Sequence, residues 1–200
     1  MKKKTPLIII ICFISFNIYA QEFKAGVNIG LSTSQVSGDR LSGFHKAGII
    51  IGGFVNRDIN RNLAFQLEMI FIQKGSSNTN LDNLNFTDIA SIHLDYIEVP
   101  LLMIYKQSES VELEVGMHSS ALINGYYHDI YGELENQTGF NNFDIGALIG
   151  MSYKINNKLS LNTRLTNSII PIAEHASGQT YRFNKGKYNT GLNFTLKYQL

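Results

Sequence analysis

Eight stretches of this chain alternate apolar and polar residues with a period of two, and after Ala20 no apolar run is long enough to cross a bilayer as a helix. That period puts neighbouring side chains on opposite faces of an extended strand, so each stretch has one oily and one polar face. The chain ends on one of them, KYNTGLNFTLKYQL. From Tyr188 its alternate residues are Tyr, Thr, Leu, Phe, Leu, Tyr and Leu, and those between are Asn, Gly, Asn, Thr, Lys and Gln. This is about twice the usual strand length of soluble proteins. A soluble fold buries the apolar face of such a strand, whereas a membrane barrel turns it outward to lipid. Which face is outside decides what kind of protein this is.

The other stretches repeat the pattern. EFKAGVNIGLS sets Phe23, Ala25, Val27, Ile29 and Leu31 opposite Lys24, Gly26, Asn28 and Gly30. LAFQLEMIFIQK sets Leu63, Phe65, Leu67, Met69 and Phe71 opposite Gln66, Glu68 and Lys74. LDYIEVPLLMIY sets Ile97, Val99, Leu101, Met103 and Tyr105 opposite Tyr96, Glu98 and Pro100. VELEVGMHSSALI, FDIGALIGMSYK and LSLNTRLT behave alike, with Glu112, Glu114, His118, Asp144, Lys154 and Arg164 on their polar faces. FHKAGIIIGGFVN is ambiguous, because Ile49, Ile50 and Ile51 are consecutive.

Eight is an even number, as a closed up-and-down barrel requires, and the connections alternate in length. Long ones fall near 33–43, 75–91, 125–141 and 169–186, and short ones are NRDINRN, KQSES and INNK. Bacterial outer-membrane barrels have long extracellular loops and short periplasmic turns. Phe23, Tyr105, Tyr153 and Tyr198 fall together at the short-turn ends, on the apolar face, with Tyr126, Tyr127 and Tyr188 near the other rim. Such aromatic belts suit the headgroup level. The polar face is rich in small residues, among them Gly26, Gly30, Gly116, Gly146, Gly150 and Gly191, as a narrow lumen demands. No strand carries a charge in the middle of its apolar face, where it would cost about 2–4 kcal/mol in a bilayer. A lipocalin-like soluble barrel explains neither feature. The expected fold is all-β, an eight-stranded antiparallel up-and-down transmembrane β-barrel, with Leu192, Phe194 and Leu196 toward lipid.

MKKKTPLIIIICFISFNIYA has the basic start, short apolar core and small final residue of a secretory signal peptide. The expected division is 1–20 signal peptide and 21–200 barrel, with the cut between Ala20 and Gln21. The mature chain then has no cysteine, because the one cysteine is Cys12, so it holds no disulfide or thiolate metal site. Loss of Lys2, Lys3 and Lys4 takes the formal charge from +1 to −2 (1 − 3), a balance without a nucleic-acid signature.

LDYIEVPLLMIYK from Leu94 to Lys106, preceded by FQLEMIFIQKG from Phe65 to Gly75, resembles the outer-membrane β-barrel domain of PorT-like, or porin-family, proteins of gram-negative bacteria. FKAGVNIGL and the last strand share the resemblance. It implies an eight-stranded outer-membrane barrel, and one branch of the family is linked to a protein secretion system. Leu200 departs from the terminal aromatic common in outer-membrane proteins, although Tyr198 is near.

The chemistry that remains is sparse. His93, His118, His128 and His175 match no metal spacing. His118 and Ser119 are strand neighbours and point apart, while His118 and Ser120 share the lumen face. No catalytic, cofactor-binding or metal residue is assigned. The informative groups are a lumen charge cluster of Glu68, Glu98, Arg164, Glu114 and Lys197, since charges in a narrow lumen must pair or stay hydrated. Arg164 is expected to pair with Glu98, Glu68 or both, with Glu114 and Lys197 lower. The expected protein is a non-enzymatic, integral, monomeric outer-membrane barrel without cofactor. Its partners are lipid and, through extracellular loops, other proteins, with no nucleic acid. The alternatives are a transport or secretion-system accessory barrel and a rim-located enzyme.

Overall fold

The computed structural model describes residues 22–39, 41, 43–78, 90–129, 132–134, 139–174 and 186–200. The segment expected to be a signal peptide, His175 and parts of the long connections lie outside the described residues. The strands are β1 (Phe23–Ser37), β2 (Lys46–Asp58), β3 (Leu63–Ser77), β4 (Ser91–Lys106), β5 (Val111–His128), β6 (Phe143–Lys154), β7 (Leu159–Ser168), a two-residue β8 (Ala173–Glu174) and β9 (Gly186–Gln199). They pair in chain order, β9 against β7, and β1 closes on β9. The result is a closed antiparallel barrel of eight long strands, with β8 a flap on β9.

Three short turns join the strands at one end, and all three are built alike. In each, the amides of two consecutive residues donate to one carbonyl: Ile59 and Asn60 to Leu63, Gln107 and Ser108 to Val111, Ile155 and Asn156 to Leu159. A side-chain oxygen at the second position then accepts amides further on. Asn60 takes those of Asn62 and Leu63, Ser108 those of Ser110 and Val111, and Asn156 those of Lys158 and Leu159. Asn and Ser favour tight turns by this local bonding.

The facing follows the alternation. Outward positions of β3 from Phe65 to Phe71 and of β4 from Ile97 to Tyr105 are all apolar, and Leu101, Met117 and Phe194 are 57, 54 and 45% exposed. β2 resolves its ambiguity with Ile49, Ile51 and Val55 outward and Ile50 and Phe54 inward. Pro100 has no N–H to give, and the β3–β4 ladder is interrupted beside it, between Leu67–Leu101 and Ile70–Glu98.

Several strands run past their apolar-outward part. At the long-connection end Val36, Ile50, Ile70, Ile72, Ile92, Leu94, Tyr96, Tyr127 and Ile172 point inward and pack into one apolar cluster. That end of the lumen is therefore oily, where a polar lumen was expected throughout. The rim aromatics also divide. Tyr126 is on the outer wall, Tyr127 lies inside stacked on Phe140 at 4.8 Å, and Tyr188 is buried.

Candidate functional site

Below the apolar cluster the lumen is crossed by two buried polar networks. The first centres on Arg164 of β7. Its two terminal nitrogens donate to the two oxygens of Glu68 on β3, each at 3.0 Å, and its Nε donates to Glu114 Oε1 at 2.9 Å. Lys197 of β9 lies 3.1 Å from Glu114 Oε2 and 3.5 Å from Glu68 Oε1. Two anions thus face two cations, and neutral donors complete the shell. Gln66 bonds Glu68 at 2.6 Å, and Asn162 bonds Glu114 at 2.5 Å and Ser152 at 2.9 Å. All four charged side chains are 7% exposed or less.

The register explains why Arg164 meets Glu68. Its ladder row runs through Gly150, Glu114 and Ile104 to Ala64 on β3. The other way it runs through Asn193, Ser32 and Gly48, and the β2–β3 register continued by two residues carries it to Lys74. The rows fail to close by 74 − 64 = 10 residues, the stagger of a barrel with tilted strands. β3 stands half-way round from β7, so equal height is midway, at (64 + 74)/2 = 69, between the inward residues Glu68 and Ile70, of which Glu68 carries the charge. The ion pair is a strut across the diameter. Glu114 and Lys197 do stand lower, and their side chains reach up to it. Gly150 leaves the space: a Cβ there would lie 2.7 Å from Glu114 Oε1.

Glu98 does not pair with Arg164. On β4 the same interpolation puts the Arg164 level near residue 100 (104 − 10 × 3/8), so Glu98 is a step higher. There Lys74 reaches Glu98 Oε2 at 2.5 Å, Ser120 donates to the same oxygen at 3.0 Å, and His118 Nδ1 is 3.3 Å away. Lys74 also sits 5.5 Å from the centroid of the Tyr96 ring. The single expected cluster is therefore two networks, and Lys74 and His118 belong to the second. Their inward facing was legible, but not their partners.

His118, Ser120 and Glu98 superficially suggest a catalytic triad. In such a triad the imidazole stands between nucleophile and acid and uses one nitrogen for each. Here His118 Nδ1 meets both Ser120, at 3.0 Å, and Glu98, and the Ser120 hydroxyl is committed to Glu98. All three residues are 2% exposed or less. Among the described residues no group of three His, Cys, Asp or Glu is placed to hold a metal ion. A cavity of ≈ 70 Å³ opens at the short-turn end, with Lys24, Lys106, Lys154 and Lys158 among its walls and Gln66 and Lys197 at its floor. In the same wall Asp58 takes bonds from Lys24 and Lys106, at 2.9 and 2.5 Å.

The family model described as outer membrane protein beta-barrel domain matches residues 19–174. The attachment invasion locus protein Ail of Yersinia pestis, solved with the heparin analogue sucrose octasulfate, superposes with a TM-score of 0.52 at 12% identity. That alignment covers 90% of this chain and 99% of Ail. Neisserial surface protein A superposes with a TM-score of 0.54 at 13% identity, over 89% of this chain and 97% of its own. At such identity the likeness is one of fold. No curated protein matches the sequence.

Proposed function

Since this chain belongs to the outer-membrane protein β-barrel family, we propose that it is a sealed, non-enzymatic barrel of the outer membrane. The wall is the structural part, and the long connections, on the cell surface, carry the contacts with other proteins. Residues 1–20 are the export signal, and N-terminal sequencing of the mature protein reads Gln21 first. The short turns then face the periplasm.

The observation that carries this reading is the strut of Arg164, Glu68, Glu114 and Lys197, buried across the lumen beneath an apolar layer. A solute path would have to break charge-assisted bonds in a low-dielectric space, each with its full desolvation penalty. A sealed lumen also suits an accessory of a larger secretion assembly, the role that the PorT-like resemblance suggests, better than it suits a passage.

Planar bilayers test the closure. The purified protein is expected to leave the bilayer silent at neutral pH and moderate voltage. A reproducible unit conductance from wild type, absent with a refolded unrelated barrel, would sink the sealed reading and favour transport.

A further inference from the structure

Resting on the outer-membrane reading above, we propose that the outer wall carries a site for the phosphate of an outer-leaflet lipid headgroup, formed by Lys46, His93, Tyr126 and His128. These residues take no part in the lumen networks.

Along β4 the alternation inverts between Tyr96 and Ile97. From Ile97 to Tyr105 the outward residues are apolar, whereas Ile92, Leu94 and Tyr96 are inward and buried, which puts His93 and Asp95 outside. A phase inversion of this kind marks where the outer wall leaves hydrocarbon. The height agrees. Twelve residues separate His93 from Tyr105 (105 − 93) in the lower aromatic belt. At about 3.3 Å per residue and a tilt near 40°, this is roughly 30 Å, just beyond an apolar band about 25 Å tall. His93 stands at the headgroup level.

The groups there are gathered rather than scattered. His93 pairs directly with Tyr126 across the β4–β5 ladder and stacks on its ring at 4.9 Å, with 10° between planes. His128 is 5.2 Å from His93 and 5.3 Å from Tyr126, centroid to centroid. Lys46 has the inward parity of β2, opposite Ser34, but β2 pairs with β3 only from Ile50–Ile72, so its side chain is free of that ladder and can reach past it. Its Nζ reaches the His93 ring, 2.6 Å from Nδ1 and 3.0 Å from Nε2. Asp95 also faces this level, with Oδ1 taking Gln73 Nε2 at 3.1 Å. Among the described residues no carboxylate lies within ion-pair distance of Lys46.

The chemistry suits a phosphate. An ammonium has three donors, and one bond to an imidazole leaves two. Imidazole N–H groups add more, and donors to phosphate oxygens form the stronger, charge-assisted class of bond. Tyr126 is an amphipathic anchor at the same level. Beneath the cluster Ile97 and Ile123 are exposed on the wall, where the acyl chains of the same lipid would lie. A lipid presents phosphate above and hydrocarbon below at this height, and an acidic protein does not.

The test refolds the mature chain into phosphatidylcholine vesicles that contain a diphosphorylated glycolipid or its enzymatically dephosphorylated form. Native mass spectrometry then counts the lipid retained. The phosphorylated lipid is expected to be retained about tenfold better, the low end for loss of a charge-assisted bond. Lys46→Gln with His93→Asn should abolish the preference and Lys46→Arg should keep it, with mobility on a cold gel reporting that each variant folds. Equal retention of the two lipids, an unchanged preference in the double variant, or displacement of the lipid by millimolar inorganic phosphate would each overturn the proposal. Vesicle binding does not depend on the orientation of the protein in cells. An inverted topology in cells would therefore fail the functional reading without affecting this result.

Discussion

Replacing Arg164 with methionine keeps most of the side-chain volume and removes the central cation of the strut. Glu68 and Glu114 would then share Lys197, at 3.5 and 3.1 Å, with almost no exposure through which water could compensate. Removing one partner of a buried pair costs about 3–5 kcal/mol. Glu68→Gln is milder, because Arg164 keeps Glu114, and a lost charge-assisted bond costs about 1.5–3 kcal/mol. The assay is reversible urea unfolding in lipid vesicles, followed by far-ultraviolet circular dichroism, since the chain has no tryptophan. At a slope near 2 kcal/mol per molar urea, a loss of about 4 kcal/mol moves the midpoint by about 2 M. The double variants decide the geometry. Arg164→Met with Glu68→Gln should be strongly non-additive, and Arg164→Met with Glu98→Gln should add to within about 0.5 kcal/mol, because the two belong to separate networks. Additivity of the first pair would refute the strut. A cost of only about 0–1 kcal/mol for Arg164→Met would mean a hydrated lumen in which the pair is screened.

Gly150→Val should push the Glu114 carboxylate out of its place and cost about 1–3 kcal/mol, and an unchanged urea midpoint would show that the space is not needed. Burial pushes the Asp39 carboxyl, in the connection after β1, up to about 6, against the lowering pull of its bond from the Leu41 amide. An acid whose pKa is raised on folding contributes stability that is complete below about pH 4 and lost as pH rises through about 6. Asp39→Asn should therefore stabilise the protein at pH 7.5 and not at pH 4. The gain is about 1 kcal/mol, because the site is partly exposed and the roughly 3 kcal/mol implied by the shift is screened. An equal effect at both pH values would contradict this. An epitope inserted after Gly38 should be reachable on intact cells and one inserted after Asn60 should not, and the opposite result would invert the topology.

The barrel was legible in the sequence because a period of two survives wherever one face meets hydrocarbon. It is ambiguous at Ile49–Ile51, where three isoleucines satisfy either face, and the structure settles it by packing Ile50 beside Ile70 and Ile72. Which charges enter the lumen was legible from parity alone. Their partners were not, because height in a barrel depends on a stagger of ten residues that no single strand records. Height judged from the strand ends alone leaves both Glu98 and Glu68 as partners for Arg164, as the sequence suggests, with Glu98 level with it. The stagger lifts Glu98 a step, to where Lys74 and Ser120 bind it. The oily end of the lumen was written in the chain as an inverted alternation, Ile92, Leu94 and Tyr96 against His93 and Asp95. It is hard to read because its phase is the reverse of the one that faces lipid.

The central claim is that the apolar face of each strand touches lipid and the polar face does not. A chain without tryptophan allows a direct test, with single tryptophans placed one at a time in vesicles of brominated phospholipid. Tryptophan at Leu101, Met117 or Phe194, all outward, should be strongly quenched, and tryptophan at Leu102 or Ile50, both buried inside, should not. Quenching at Leu102 and Ile50 with none at Leu101, Met117 and Phe194 would turn the barrel inside out and contradict the account.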